Sequence, residues 1–387
     1  MPVVKVTVAK PVLHWIAGQP GVENLNQELS SRLKDWLNES AEPTFSQIQK
    51  LSSAMGLPFG YFFLNKPPVE NVPLLKFRSV ENEEIVEPSR ELINTIHYME
   101  NVQDWIKDYK ENNSFSELDY VGSMRNEKDP EKIALAIMDY IELSGDWYRE
   151  HNDKRKAFNY LREKLNYIGI TVMMNGVCGN NTHKPLSIKE FRAFCMVDKL
   201  APLIFINSTD SEGAKIFSLF HELVHIWLGI DDLYNDWRQS GKSEKKVEQL
   251  CNSVASLLVI PDGSFDQEWN NLTDGDISNK IEKLSNIYNC STSVVARKAL
   301  ENGYISQKIY NSIIEKAINE YNQLKKRKNS GGNFYSTLKS RLDPNFVAAL
   351  YSSVLEGRTS YTEAYRLTNT NGKTFSELVN HGEYGAV

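Results

Sequence analysis

The sequence predicts an α+β protein that is mostly helical, with one small sheet. Three observations carry this. Long stretches place apolar residues three and four apart, the spacing of amphipathic helices. Near the middle, ITVMMNGVC, FRAFCMV and PLIFIN are short β-branched or aromatic runs between turn residues, which is the pattern of strands. These runs then give way to GAKIFSLFHELVHIWLG, where the period returns to that of a helix. The 387 residues suit two or three domains rather than one.

In chain order, residues 11–66 read as short helices. Pro43-Thr44 is a break, and Phe45 to Leu57 has helical spacing at Ile48, Leu51, Ser52 and Met55. Gly56 can cap that helix, and Pro58 prevents its continuation. Pro67-Pro68 opens a stiff, extended linker to about Ser89. Residues 89–165 are mainly helical. Leu92, Ile93, Ile96, Val102, Trp105 and Ile106 fall near one stripe, and EKIALAIMDYI and KAFNYLREKLNYI repeat the pattern. Gly169 ends a helix before the strand runs. After a polar loop from Asp231 to Ser243, SEKKVEQLCNSVASLLVIP is a long helix stopped before Pro261. Two short helices cover about 277–303, joined by NCSTS. Leu324 to Gly332 reads as a linker, and a last helical piece covers 334–380. The expected domains are 1–68, a linker and helical region at 69–160, a central domain at 161–310, and a linker with a helical module at 311–387.

Composition narrows the function. With 41% apolar and 24% charged residues, the chain can build cores, so disorder is not the expectation. A net charge of −6 gives no global attraction for nucleic acid or anionic membranes. Cys178, Cys195, Cys251 and Cys290 lie far apart in apolar or helical surroundings, as small buried hydrophobes do in a reducing cytosol. The N-terminal run is interrupted by Pro11 and Pro20 and lacks the apolar core of a signal peptide. No stretch approaches the roughly 18 apolar residues of a membrane span. A cytoplasmic protein without membrane attachment is expected.

The chemistry concentrates at His221-Glu222-Leu223-Val224-His225. Four-residue spacing on a helix puts both imidazoles on one face, one turn apart, where they can share a metal. Glu222 projects from the neighbouring lane, within reach of a water on that metal. Zinc hydrolases use three protein ligands and keep the fourth position open. Glu248, on the next long helix, is the third-ligand candidate. Its lane continues through Cys251, Asn252, Ala255 and Val259, which are small or apolar, and a carboxylate heading a buried lane needs a partner. Ile216, Phe217, Phe220, Leu223, Val224 and Trp227 make the histidine helix apolar almost all round, so both histidines should be buried. His14, His97, His151, His183 and His381 have no such spacing.

Over nearly its whole length the sequence resembles the ImmA/IrrE metallopeptidases, relatives of the gluzincins. The resemblance rests on LIFINSTDSEGAKIFSLFHELVHIWLG, on VEQLCNSVASLLVIP and on ITVMMN. It implies a gluzincin-like core holding Zn2+ through His221, His225 and Glu248, with Glu222 as general base. Cys251 stands where the family usually has Ala, a small-for-small change. Asn252 matches the family's Asn. It is expected to hydrogen-bond around the ligands, with plain helix packing as the competing role.

Residues 1–68 resemble the degenerate Xre-type helix-turn-helix fused to such peptidases, through SRLKDWLNESAEPTFSQIQKLSSAMGLPFGYFFLNKPP. DNA or partner contact would fall around Ser31, Arg32, Lys34 and Asn38. Residues 1–66 carry six Lys/Arg against five Asp/Glu, whereas a DNA reader normally shows a basic face, so any DNA binding should be weak. A packing, self-association or partner-binding module is the competing role. KLSNIYNCSTSVVARKALENGYIS also scans as a helix-turn-helix, but the family carries it inside the peptidase domain, where a structural role is expected. Lys325 to Lys328 reads as a solvated helix end. The tail YSSVLEGRTSYTEAYRLTNTNGKTFSEL resembles the family's C-terminal helical module. Two functions follow: a zinc endopeptidase of restricted specificity that cleaves a cytosolic repressor or antitoxin, or a toxin–antitoxin or Xre-type binding protein with a structural or vestigial metal site. An intact Glu222 favours the enzyme, because a structural zinc site has no use for a base.

Overall fold

The computed structural model describes residues 5–69, 88–230, 243–273, 275–327 and 334–380. Most of the expected linker from Pro67 to Ser89 (residues 70–87), most of the polar loop (231–242) and His381 lie outside the described residues. The chain divides into two compact units, and the division falls between His97 and Tyr98.

The first unit holds α1 (Lys10–Ala17), α2 (Gln27–Leu37), α3 (Phe45–Met55) and the start of α4 (Arg90–Asn112). Local chemistry sets these boundaries. The Asn26 side chain accepts the Leu29 N–H to start α2. Thr44 and Gln47 form a capping box at α3, and Gly56 ends it with φ 66°. Asn94 and Arg90 of α4 donate to the Gly56 carbonyl. Val12, Ile16, Leu33, Trp36, Ile48, Leu51 and Phe62 fill the core. Between α1 and α2 lies only a 3-10 turn, Val22–Asn24.

The second unit continues α4 and adds α5 (Pro130–Tyr140) and α6 (Lys154–Tyr167). Three strands follow: β1 (Thr171–Asn175), β2 (Ala193–Met196) and β3 (Leu203–Asn207). Then come α7 (Glu212–Leu228), α8 (Ser243–Val259), α9 (Asp262–Asn271), α10 (Ile277–Ile287), α11 (Thr292–Glu301) and α12 (Gln307–Arg327). The chain finishes with α13 (Phe334–Arg341), α14 (Pro344–Leu355), α15 (Tyr361–Thr368) and α16 (Gly372–Asn380). Helices make up 62% of the described residues, so the protein is mostly helical with a three-stranded mixed sheet, as the periodicity predicts.

The sheet order is β1-β3-β2, with β3 parallel to β1 and antiparallel to β2. PLIFIN is therefore the central strand, and ITVMMN and FRAFCMV lie at the two edges. Every β3 residue is buried. α7 packs on β2 and β3, α8 packs on α7, and α5 packs on α8. The expected linker from Leu324 begins inside α12, which stays helical through Arg327. Helix α9 has no counterpart in the sequence reading, because DGSFDQEWNN lacks a continuous apolar stripe; Phe265 and Trp269 are its buried apolar residues. α10 and α11 do form a helix-turn-helix, but its turn is buried by packing. A Cβ on Gly213 would come 2.4 Å from the Cys290 carbonyl carbon, so this turn abuts the start of α7. No helix among the described residues is long and apolar enough to cross a membrane.

Candidate metal centre

α7 begins where the Ser211 hydroxyl accepts the Ala214 N–H and ends at Gly229, whose φ of 63° suits glycine. It is buried from Gly213 to Leu228 except at Phe217, which is half-buried. His225 is 0% exposed, His221 4% and Glu222 6%. Phe217 lies one turn before His221 with its ring nearly parallel to the imidazole, centroids 6.5 Å apart.

Both imidazoles turn their Nε2 atoms to one point, 3.2 Å apart. Glu248 of α8 comes to the same point. Its Oε2 lies 3.3 Å from His221 Nε2 and its Oε1 3.4 Å from His225 Nε2. Among the described residues, these three form the cluster able to hold a metal, with ligand atoms within 4.8 Å of one another. The spacing is itself a fit test. Tetrahedral zinc with bonds of about 2.0–2.1 Å holds its ligands about 3.3 Å apart. The His221–His225 separation matches that edge, and each Glu248 oxygen lies at that distance from one of the two imidazoles.

Electrostatics agrees with the geometry. Burial pushes the Glu248 carboxyl up, but hydrogen bonds and charge interactions with His221 and His225 outweigh it and hold the carboxyl well below the usual carboxylate range. A ligand carboxylate must be ionised, and this shift favours the ionised form.

Glu222 is buried on α7 between the two histidines and outside the ligand cluster. Asn252 stands one turn beyond Glu248. Its Oδ1 is buried with no hydrogen-bond partner among the described residues. Cys251, Ala255 and Val259 of the same lane are fully buried. Arg32 and Lys34 lie on α2 in the first unit, where Arg32 pairs with Glu28 at 2.8 Å and Lys34 is exposed. The sequence reading passed over Trp147. It is fully buried, touches both ligand-bearing helices and belongs to no spacing pattern that marks a site.

No curated protein matches the chain. Residues 342–381 match a domain of unknown function, DUF8813. Over residues 167–300 the chain is similar to the IrrE N-terminal-like domain of the M78 peptidases, and His221, His225 and Glu248 all fall inside that match.

Proposed function

We propose that the protein is a zinc-dependent endopeptidase of restricted specificity that cleaves a cytosolic regulatory protein such as a repressor or antitoxin. The observation that carries the reading is the set of three 3.2–3.4 Å separations among His221, His225 and Glu248, beside a buried carboxylate that is not a ligand. The match to a peptidase domain at 167–300 supports it. Zinc bound there supplies Lewis acidity and lowers the pKa of its water to about 7. Glu222 takes the proton from the attacking water as its oxygen bonds to the peptide carbonyl carbon. Glu222 then delivers that proton to the leaving amine as the C–N bond breaks.

Restricted specificity follows from how a substrate is held. β2 is an edge strand packed against α7, so an extended segment that pairs with it by backbone hydrogen bonds would lie along the histidine helix. Backbone pairing selects weakly among side chains. Selectivity then depends on docking by the 1–68 and 334–387 modules and on how readily the target segment unfolds. The 1–68 module, close to neutral overall, serves protein contact or self-association better than duplex DNA.

The test is to incubate the zinc-loaded chain with candidate repressors and with casein, using Glu222→Gln as the inactive control. One or few cuts in a docked repressor support the reading. Rapid conversion of casein to many peptides removes the docking element. Full zinc without cleavage of any candidate favours a binding protein with a structural metal.

A further inference from the structure

The three ligand atoms come from two helices, and a tetrahedral site tolerates only a few tenths of an ångström of misplacement between them. A third body holds those helices, and it lies outside the matched peptidase region. Residues 118–150 precede residue 167, where the match begins, yet they grip both α7 and α8.

The last carbonyls of any helix lack partners within the helix. In α7 they are met from outside. Gly122 N–H donates to the Ile226 carbonyl at 3.0 Å, and Met124 N–H donates to the Trp227 carbonyl at 3.0 Å. Two glycines make this approach feasible. Gly122 has φ 76° and Gly229 φ 63°, and a Cβ on Gly229 would sit 2.8 Å from the Gly122 Cα. Tyr120 stacks on Trp227 with centroids 4.4 Å apart. These contacts fix the turn that carries His225.

The same segment then reaches α8. α5 packs along it. Trp147 donates its indole N–H to the Leu258 carbonyl at 3.0 Å, while its ring meets Phe220, the neighbour of His221, edge-on at 5.7 Å. One buried side chain therefore touches the histidine-bearing helix and the glutamate-bearing helix.

We infer that residues 118–150 are a working part of the metal centre: a bracket that sets the α7–α8 spacing, with Gly122 and Trp147 as positioning residues. The inference rests on the metal reading above.

The test uses the metal-free full-length chain. Zinc affinity is measured against a chromophoric chelator, and ligand geometry by the visible d–d bands of bound Co2+. Trp147→Phe keeps an aromatic ring and loses the N–H; it should bind zinc about tenfold more weakly, with shifted Co2+ bands. Gly122→Ala, strained at φ 76° although its Cβ would meet Gly229 Cα at an ordinary 3.6 Å, should do the same, and it decides the question if Trp147→Phe does not fold. The controls are Trp269→Phe, whose ring stacks on Tyr304, and Gly303→Ala, which carries φ 75° in open space. Both should keep wild-type affinity and bands. Wild-type zinc affinity and bands in the two bracket variants would overturn the inference, as would equal losses in the two controls. If the wild-type chain binds no zinc, the metal reading itself fails, and this inference falls with it.

Discussion

His225 is sealed from solvent and His221 nearly so, which means neither imidazole can fall back on water when a neighbour is removed. The variants should therefore separate by role. His221→Ala should abolish metal binding, because two remaining ligands cannot hold zinc at micromolar supply. Glu222→Gln is isosteric and outside the ligand cluster, so it should keep zinc and lose hydrolysis by at least about a hundredfold, the usual worth of a positioned base. Elemental analysis and peptide cleavage on the same preparations check both. Thiol chemistry gives a second residue-scale prediction. Burial pushes the Cys290 thiol up to about 12, and Cys195 and Cys251 are fully buried, whereas Cys178 is half-buried. An alkylating reagent at about pH 8 should label Cys178 first and the other three only on unfolding, as mass spectrometry would show. At this scale the sequence was readable. His221, His225 and Glu222 sit within one helical turn of each other, and Glu248 heads a lane whose smallness shows in Cys251 and Ala255. Trp147 was not readable, because its partners Leu258 and Phe220 are far away in the chain and no periodicity links them.

Among the elements, strands and helices were legible while their arrangement was not. ITVMMN, FRAFCM and LIFIN are strands because β-branched and aromatic residues fit a buried pleat. The order β1-β3-β2 depends on pairing across long connections, so nothing within PLIFIN marks it as the central strand. The outer edge of β1 is closed by two charged side chains that no local pattern foretells. Asp343 caps α14 and also accepts the Val172 N–H at 2.9 Å, while Arg162 of α6 donates to the Val172, Ser340 and Leu342 carbonyls. Arg162→Met should cost about 3–5 kcal/mol, since it strands a buried carboxylate, and urea unfolding measures this directly. Burial pushes the Asp343 carboxyl above its ordinary value, against the pull of Arg162 and three backbone N–H groups. A carboxyl raised in the folded state binds more protons there than when unfolded. Stability from this group therefore falls as pH rises from about 4 through the raised value. Thermal unfolding of wild type against Asp343→Asn should show the wild-type advantage shrinking over that window.

For the molecule as a whole, charge and metal linkage make the accessible predictions. The first unit pairs Arg32 with Glu28 and Lys10 with Glu39, and over residues 1–66 six Lys/Arg face five Asp/Glu, so it offers phosphates little net positive charge. Fluorescence anisotropy should show weak duplex binding with a shallow salt dependence. A steep loss between low and moderate salt, abolished by Arg32→Ala with Lys34→Ala, would establish a DNA-reading face instead. The extent of the units was the least legible feature. The structural division falls inside α4, whose amphipathic stripe runs unbroken through His97 and Tyr98. Such a stripe says that a helix is buried without saying against what. The central claim is one zinc per chain on His221, His225 and Glu248. Its most direct test is metal content by elemental analysis, after equilibration with limiting zinc, of wild type, Glu222→Gln, Glu248→Ala and the double variant His221→Ala, His225→Ala. One zinc in the first two and none in the others is the predicted result. Full zinc in the double variant would contradict the account.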